Sequence, residues 1–258
     1  MQDLRVTAVQ SAIHWHDAGK NWAMFDQALD GVETDLVVLP EMFNVGFTQH
    51  PEKAAETMDG PTVEWATKLA AGLNAAVAGS LAVKENGQYF NRMLFVTPDG
   101  KVDWYDKRHL FRMAGENQRY GQGDQRKIIG WRGWRINLQV CYDLRFPVWS
   151  RRGEGAEDYD LLLYVANWPA IRSYPWTSLL IARAIENLSY VVGVNRVGED
   201  TNKHHYSGDS VVLSPRGEAL WSCRGEAQVH TERLSAADLD SFRKGFPAHQ
   251  DADKFTIL

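Results

Sequence analysis

The stretch Leu36-Val37-Val38-Leu39-Pro40-Glu41 joins an unbroken apolar run to a proline and a carboxylate. A short Val/Leu run of this kind, here residues 35–39, predicts a strand that is buried on both faces. Before it, residues 4–10 alternate like a strand, and residues 21–29 have the apolar spacing of an amphipathic helix. The start of the chain therefore predicts a βαβ unit whose second strand ends beside Glu41.

The same two periodicities continue to the end of the chain. The turn Pro98-Asp99-Gly100 separates two strand-like runs, 91–97 and 101–107, and predicts a hairpin, which makes the sheet mixed. The remaining predicted helices are 61–73, 176–187 and 235–243, and the remaining predicted strands are 75–83, 126–129, 134–140, 161–165, 190–195, 210–213 and 218–221. So many strands favour two sheets, and helices that alternate with strand pairs predict a layered α/β sandwich.

Composition favours one domain without a polyanionic partner. Of the 258 residues, 44% are hydrophobic and no Pro/Ser/Gly-rich linker divides them, so residues 1–258 are predicted to form a single domain. The 28 basic and 33 acidic residues give a net charge of −5 without a long block of one sign, which argues against nucleic acid. No apolar run reaches the roughly 18 residues of a membrane span, and no secretion leader is apparent, so we expect no membrane association and a cytoplasmic location.

Three strand-like runs end at side chains that can do chemistry: Glu41, Lys107 and Cys141. Singly, each has an ordinary explanation, as a helix cap, a surface charge and a small core residue respectively. Ligands of open α/β sheets bind at the carboxyl ends of strands, so the three side chains could also meet at one site. Together they would supply a base, a partner for an oxyanion and a nucleophile, which is the set that acyl transfer needs.

Each of these residues lies in a longer segment: Leu39-Pro40-Glu41-Met42-Phe43, Tyr105-Asp106-Lys107-Arg108-His109-Leu110-Phe111 and Val140-Cys141-Tyr142-Asp143-Leu144-Arg145-Phe146-Pro147. These segments resemble the three signature segments of the nitrilase, or carbon–nitrogen hydrolase, superfamily. Three further segments resemble its omega-amidase branch: Asn167-Trp168-Pro169, Ala182-Arg183-Ala184-Ile185-Glu186-Asn187 and Tyr206-Ser207-Gly208-Asp209-Ser210. The resemblance implies a four-layer αββα sandwich of two mixed sheets flanked by helices, usually paired as a homodimer.

The resemblance also implies a catalytic triad of Glu41, Lys107 and Cys141. In that scheme Glu41 takes the proton of Cys141, and Lys107 holds the oxyanion together with the backbone N–H of Tyr142. Glu116 resembles the second glutamate of the superfamily, which helps to position substrate and lysine; its other interpretation is a solvated loop acid. This chemistry needs no cofactor, and the histidine pairs of the chain lack a third ligand at a recognisable spacing, so no metal is predicted.

Arg145 and the segment after Asn167 are the candidates for binding the rest of the substrate. Arg145 could pair with a surface acid, but it could also bind a substrate carboxylate bidentately. The resemblance to omega-amidases implies the second role, with the carboxylate of a 2-oxo dicarboxylic acid monoamide as the ligand. Trp168 and Arg172 are further substrate-binding candidates, although Arg172 could equally be a solvated charge.

The leading prediction is an amidase that hydrolyses the ω-amide of 2-oxoglutaramate-like acids to the 2-oxo acid and ammonia through a cysteine thioester. Two alternatives stay open. Another carbon–nitrogen hydrolase, acting on N-carbamoyl or aliphatic amides, would use the same triad, and a non-catalytic thiol sensor would use Cys141 without turnover. The tryptophans near the cysteine segment are expected to pack the core and interfaces, and a further hypothesis is that the cluster near Trp149 and Trp176 also covers a dimer face. Cys223 is expected to be a structural or surface thiol.

Overall fold

Two mixed sheets lie face to face in the computed structural model, which describes residues 1–153, 155, 158–253 and 255. The first sheet contains, in spatial order, β13 (Gln228–Leu234), β1 (Leu4–Gln10), β2 (Leu36–Val38), β3 (Ala76–Glu85), β4 (Gln88–Val96) and β5 (Val102–Asp106). The second contains β10 (Val197–Glu199), β11 (His205–Leu213), β9 (Tyr190–Asn195), β8 (Leu161–Ala166), β7 (Trp134–Val140) and β6 (Ile128–Trp131), with β12 (Ala219–Arg224) also paired to β11.

The α-helices in the described residues are α1 (Ala18–Leu29), α2 (Pro51–Ala54), α3 (Pro61–Leu73), α4 (Pro147–Ser150), α5 (Ser173–Asn187) and α6 (Ala236–Gly245). None of them is long and apolar enough to cross a membrane. Asp17 caps the start of α1 by accepting from the backbone N–H of Lys20, and Pro61 opens α3 where its missing N–H costs nothing.

Three parallel strands form the centre of each sheet. In the first sheet β1, β2 and β3 run parallel, which aligns Val6, Leu36 and Ala76. In the second, β7, β8 and β9 do the same with Ile136, Leu161 and Tyr190. Parallel strands end at a common edge, so the chain leaves β2 towards Glu41 and leaves β7 towards Cys141 at the carboxyl edges of the two sheets.

Alternation along β1 divides the apolar interior into layers. Leu4, Val6 and Ala8 pack with residues of the second sheet, whereas Val9 packs with Phe25 of α1 and with residues of α3. On the far side of the second sheet, α5 contributes Trp176, Leu180 and Ala184 to the core. The order helix, sheet, sheet, helix confirms the predicted four-layer fold class.

Sequence patterns missed the edge strands β10 and β13. The residues of β13 are Gln228-Val229-His230-Thr231-Glu232-Arg233-Leu234, which include too few apolar positions to show a buried face. This strand nevertheless pairs antiparallel with β1 along its whole length, from Leu234 opposite Leu4 to Gln228 opposite Gln10. Backbone hydrogen bonds to β1, rather than a buried hydrophobic face, therefore explain why β13 forms a strand.

Trp149 and Trp176 pack in the core, as predicted, and do not themselves form part of a dimer face. Their exposed fractions are 5% and 0%, so both rings are already buried within the chain. The indole N–H of Trp149 donates to the Tyr105 hydroxyl at 2.9 Å, and that of Trp176 donates to the Asp209 carbonyl at 2.8 Å. Cys223 is a buried thiol, as its structural interpretation requires.

Candidate active site

Three strand ends bring Glu41, Lys107 and Cys141 to one place. Glu41 follows β2, Lys107 directly follows β5, and Cys141 directly follows β7. The backbone of Cys141 has φ = 47°, a left-handed conformation that non-glycine residues rarely adopt. It marks a sharp change from strand to the 3₁₀ turn Cys141–Arg145, like the strained turns that present nucleophiles at strand ends in other α/β enzymes.

Lys107 is a buried cation held between two buried carboxylates. Its Nζ lies 2.9 Å from Glu41 Oε1 and 2.9 and 3.1 Å from the two oxygens of Glu116. All three side chains are at most 1% exposed. Burial alone would lower the pKa of Lys107, but the charges of Glu116 and Glu41 outweigh burial and raise it well above its ordinary value. Lys107 is therefore a permanent cation at neutral pH.

The hydrogen bonds to Glu41 differ between its two oxygens. Oε1 accepts from Lys107 Nζ and from Asn91 Nδ2, at 2.9 and 2.7 Å, so both of its lone pairs are used. Oε2 accepts from the backbone N–H of Asn167 at 2.7 Å, which leaves one lone pair. The side-chain amide of Asn167 also donates to the Glu41 carbonyl at 2.6 Å. The carboxylate is thus fixed in orientation with one acceptor position open.

Cys141 is a neutral thiol at rest. Burial raises its pKa well above the ordinary value, and the charge of Glu41 raises it further, while Lys107 acts in the opposite direction. A hydrogen bond from the thiol to the Glu41 carboxylate contributes to the same increase. A nucleophilic role for this thiol would therefore need a base that removes its proton during attack, rather than a standing thiolate.

Replacing Glu41 with glutamine should lower the pKa of Cys141, because the variant lacks the negative charge that opposes thiolate formation. The midpoint of thiolate formation, followed by ultraviolet absorbance or by the pH dependence of iodoacetamide labelling, should then move to lower pH. A Glu41→Gln midpoint at or above the wild-type value would contradict the electrostatic coupling of these two side chains.

Asp143 connects the lysine segment to the cysteine segment. This fully buried carboxylate accepts from the backbone N–H of Val140 at 3.0 Å and from the hydroxyl of Tyr105 at 2.8 Å. Its other oxygen lies 2.8 Å from both the backbone nitrogen and the ring Nδ1 of His109. Since Lys107 lies between Tyr105 and His109 in the chain, these bonds hold its segment against the turn that carries Cys141.

A small cleft opens beside the thiol. It is lined by Phe111, Cys141, Tyr142, Arg145, Asn167, Trp168, Pro169 and Arg172. The Arg145 guanidinium lies over the Trp168 ring, 5.1 Å from its centroid, and that of Arg172 lies over the Phe111 ring at 5.5 Å. Neither arginine forms an ion pair with a carboxylate in the part of the chain that the structure describes, so two cations line the cleft without an anionic partner there.

Every candidate site residue from the sequence lies in this region. Glu41, Lys107, Glu116 and Cys141 form the buried cluster, and Tyr142, Arg145, Trp168 and Arg172 line the cleft. Glu116 is buried rather than a solvated loop acid, and its pKa is raised, chiefly by burial and further by Glu41, with Lys107 opposing. Sequence reasoning missed the contacts of Asn91, Asn167 and Asp143. The Asn167 and Asp143 positions fall inside the quoted segments, whereas Asn91 is a polar residue in a strand, which gave no signal of its own.

Comparison with known proteins agrees with this geometry. Residues 5–244 match the family described as Carbon-nitrogen hydrolase. The omega-amidase YafV of Escherichia coli strain K12 is 48% identical over 259 residues, covering 100% of both chains, and the 2-oxoglutaramate amidase of Bacillus subtilis is 30% identical, covering 85% of both. The crystal structure of XC1258 from Xanthomonas campestris, a CN-hydrolase superfamily protein with an arsenic adduct in its active site, superposes with a TM-score of 0.97 at 48% identity, covering 100% of both chains. The chain therefore belongs to the carbon-nitrogen hydrolase family.

Proposed function

We propose that this protein is an amidase that hydrolyses the ω-amide of small 2-oxo dicarboxylic acid monoamides, such as 2-oxoglutaramate, to the 2-oxo acid and ammonia. The observation that carries the proposal is the Glu41–Lys107 ion pair, placed where a buried thiol meets a cleft with two arginines that have no carboxylate partner among the described residues. The names of the Escherichia coli and Bacillus subtilis relatives support the same substrate class.

The first half of the reaction forms a thioester. Glu41 Oε2, which has the open lone pair, takes the proton of Cys141 as Sγ adds to the amide carbon. Lys107 and the backbone N–H of Tyr142 stabilise the oxyanion that develops on the carbonyl oxygen. The protonated Glu41 then gives its proton to the leaving nitrogen, and ammonia departs. Glu116 acts through Lys107, whose ammonium it holds in position.

The second half regenerates the enzyme. A water molecule takes the place that ammonia left, and Glu41 removes its proton as the water oxygen adds to the thioester carbon. The same two donors hold the second oxyanion. Collapse of this intermediate breaks the carbon–sulfur bond, the proton on Glu41 returns to Cys141, and the free acid leaves the cleft.

The far end of the substrate would be recognised by the two arginines of the cleft. Arg145 ends the 3₁₀ turn that begins with Cys141, so one short element would hold both the nucleophile and the carboxylate. Stacking on Trp168 limits the orientations of its guanidinium and prepares it for bidentate binding. Arg172, stacked on Phe111, lies in the same cleft wall as a second cation for the 2-oxo acid group.

Ammonia release from 2-oxoglutaramate, succinamate and a neutral aliphatic amide of similar size tests the proposal. We expect turnover of both acids, with 2-oxoglutaramate preferred, and slow turnover of the neutral amide. Faster turnover of the neutral amide, or of an N-carbamoyl amino acid, would contradict the proposed substrate class and indicate another substrate class of the carbon–nitrogen hydrolase family. A folded protein that is labelled at Cys141 but hydrolyses none of these would instead indicate a thiol sensor.

Substitution of Arg145 by alanine should raise KM for the acidic amides and leave the neutral amide nearly unaffected. A hydrogen bond to a charged group contributes about 1.5–3 kcal/mol, which corresponds to a loss of about 10- to 150-fold in kcat/KM. Arg145→Lys, which keeps the charge without the planar fork, should fall between the two. Equal losses for acidic and neutral amides would show that Arg145 does not bind the substrate carboxylate.

We also propose that the protein is a cytoplasmic homodimer. Ile181 and Ile185 lie one turn apart on the outer face of α5 and are 40% and 50% exposed, so that they offer an apolar surface to a second copy. Both cysteines are free, which suits a reducing compartment. Light scattering during size-exclusion chromatography should give twice the chain mass, and a single chain mass at micromolar concentration would rule out the dimer.

A further inference from the structure

One neutral amide lies between the two carboxylates of the site. Asn91, on β4, is fully buried, and its Nδ2 donates to Glu41 Oε1 at 2.7 Å and to Glu116 Oε1 at 3.1 Å. Lys107 donates to the same two side chains. The carboxylates are therefore held together by one cation and one uncharged group, and no step of the mechanism above uses the uncharged group.

A hydrogen-bond chain of fixed polarity sets the direction of this amide. The backbone N–H of Met42 donates to Ser80 Oγ at 2.9 Å, so the hydroxyl of Ser80 is free to donate its own proton to Asn91 Oδ1, also at 2.9 Å. An amide that accepts through its oxygen presents both N–H groups on the other side. A flipped amide would instead place its oxygen against the oxygens of two carboxylates. All of these atoms are acceptors, so no hydrogen bond could form between them.

We propose that Asn91 is a positioning residue for the base, occupying the second lone pair of Glu41 Oε1 so that proton exchange with Cys141 takes place at Oε2. Its donation to Oε1 is compatible with both the ionised and the protonated states of Glu41, so it holds the carboxyl plane throughout the cycle. The same amide lowers the pKa of Glu116, against the effect of burial, so that Glu116 keeps its charge beside Lys107 to lower pH. This inference rests on the proposed function, because it assumes that Glu41 is the base.

Asn91 has this effect without changing the number of charges in the site. The titratable groups that act on this cluster from the surrounding elements are Lys107, Glu116, Cys141, Tyr120 and Tyr206. All of them remain in Asn91→Ala, so a change in the pH profile of that variant reports the lost donor. In Asn91→Asp a third acid replaces the donor, which should enlarge the change in the same direction.

The test is the pH dependence of kcat/KM for 2-oxoglutaramate in Asn91→Ala, Asn91→Asp and Ser80→Ala. We expect Asn91→Ala to lose about 10- to 100-fold, mainly in kcat, with the acid limb moved to higher pH. Asn91→Asp should move it further. Ser80→Ala keeps the amide but removes the hydroxyl that sets its direction, so a smaller shift of the same sign is expected, and this variant serves if the others do not fold.

Asn187→Asp is the matched control. Asn187 is also buried, and its side-chain amide donates to the Arg183 carbonyl and lies beside the Glu186 carboxylate, within α5. It should lose stability without moving the acid limb. The proposal is overturned if the Asn91 and Ser80 variants have the wild-type acid limb, or if Asn187→Asp moves it equally.

A second readout separates this proposal from the proposed function. Well below the midpoint of thiolate formation, alkylation of the neutral thiol needs Glu41 to take the proton. The low-pH limb of iodoacetamide labelling at Cys141, assigned by peptide mass spectrometry, therefore follows the base and needs no substrate. This limb should move to higher pH least in Ser80→Ala, more in Asn91→Ala and most in Asn91→Asp. The same result is expected even if the wild type hydrolyses none of the amides tested. An unchanged labelling limb in Asn91→Ala and Ser80→Ala would reject the positioning role by itself.

Discussion

Cys141→Ala should hydrolyse 2-oxoglutaramate about 10⁵- to 10⁶-fold more slowly than the wild type, as for other enzymes that lose their nucleophile. The variant removes the sulfur that would form the thioester, while the oxyanion donors and the cleft remain. Substrate binding should therefore persist, and calorimetry with Cys141→Ala should report a dissociation constant for the intact amide. The small change in volume at a strand end makes a large loss of stability unexpected.

Cys223→Ala is the matched control for this variant. Cys223 is the second buried thiol of the chain, and Gln10 Nε2 lies 3.2 Å from its Sγ, on the strand pair β11–β12 away from the ion-pair cluster. This variant should keep the wild-type kcat/KM. Turnover that survives in Cys141→Ala, or that is lost in Cys223→Ala, would contradict the assignment of the nucleophile.

Lys107→Met should impair both chemistry and folding. Loss of one oxyanion donor typically costs about 10²- to 10³-fold in kcat. Removing one partner of a buried ion pair typically costs about 3–5 kcal/mol of unfolding free energy, and here Glu41 and Glu116 would both be left without their cation. The expected result is a variant that is much slower than the wild type and also melts at a lower temperature.

The pH dependence of that destabilisation has a definite sign. Burial already raises the pKa of Glu116 in the folded state, and without Lys107 it would rise further. A carboxyl whose pKa is higher in the folded than in the unfolded state destabilises the fold at pH values where it must be ionised, and this penalty is relieved as the pH falls through the raised pKa. The loss of unfolding free energy in Lys107→Met should therefore be largest near neutral pH and shrink on acidification.

Arg243→Met separates the two effects of the lysine variant. Arg243, on α6, is another largely buried cation, 2.6 Å from Asp160 and bonded to the Tyr159 carbonyl. Its loss should lower the melting temperature, yet kcat should stay near the wild-type value at temperatures where the variant is folded. If Lys107→Met lost activity only in proportion to its unfolded fraction, the lysine would have no role in the chemistry.

The strand ends could be predicted because their apolar runs are strong signals. The segments β2, β5 and β7 all appear in the sequence as short runs followed by a polar side chain, and parallel pairing brings the ends of β2 and β7 to the carboxyl edges of their sheets. The identity of the side chains then favoured acyl transfer, with a non-catalytic thiol sensor as an alternative. The family resemblance added the proposed roles of Glu116 and Arg145, which no periodicity indicates.

Features that depend on long-range hydrogen bonding could not be predicted in this way. The strand β13 has little apolar character, and it is held mainly by its backbone ladder to β1, more than 200 residues earlier. Asn91 is one polar residue in a strand, and it acquires a role only because Ser80 and Met42 fix its direction. The role of such a residue follows from the direction of its hydrogen bonds, and that direction is visible only in the three-dimensional structure.

The most direct test of the central claim is the intact mass of the wild-type enzyme, quenched in acid within its first turnovers of 2-oxoglutaramate. We predict an adduct with the mass of the amide minus ammonia, located on the peptide that contains Cys141, together with an equal burst of ammonia. Cys141→Ala, treated in the same way, should show neither. An adduct on another residue, or ammonia release that persists in Cys141→Ala, would contradict the thioester mechanism.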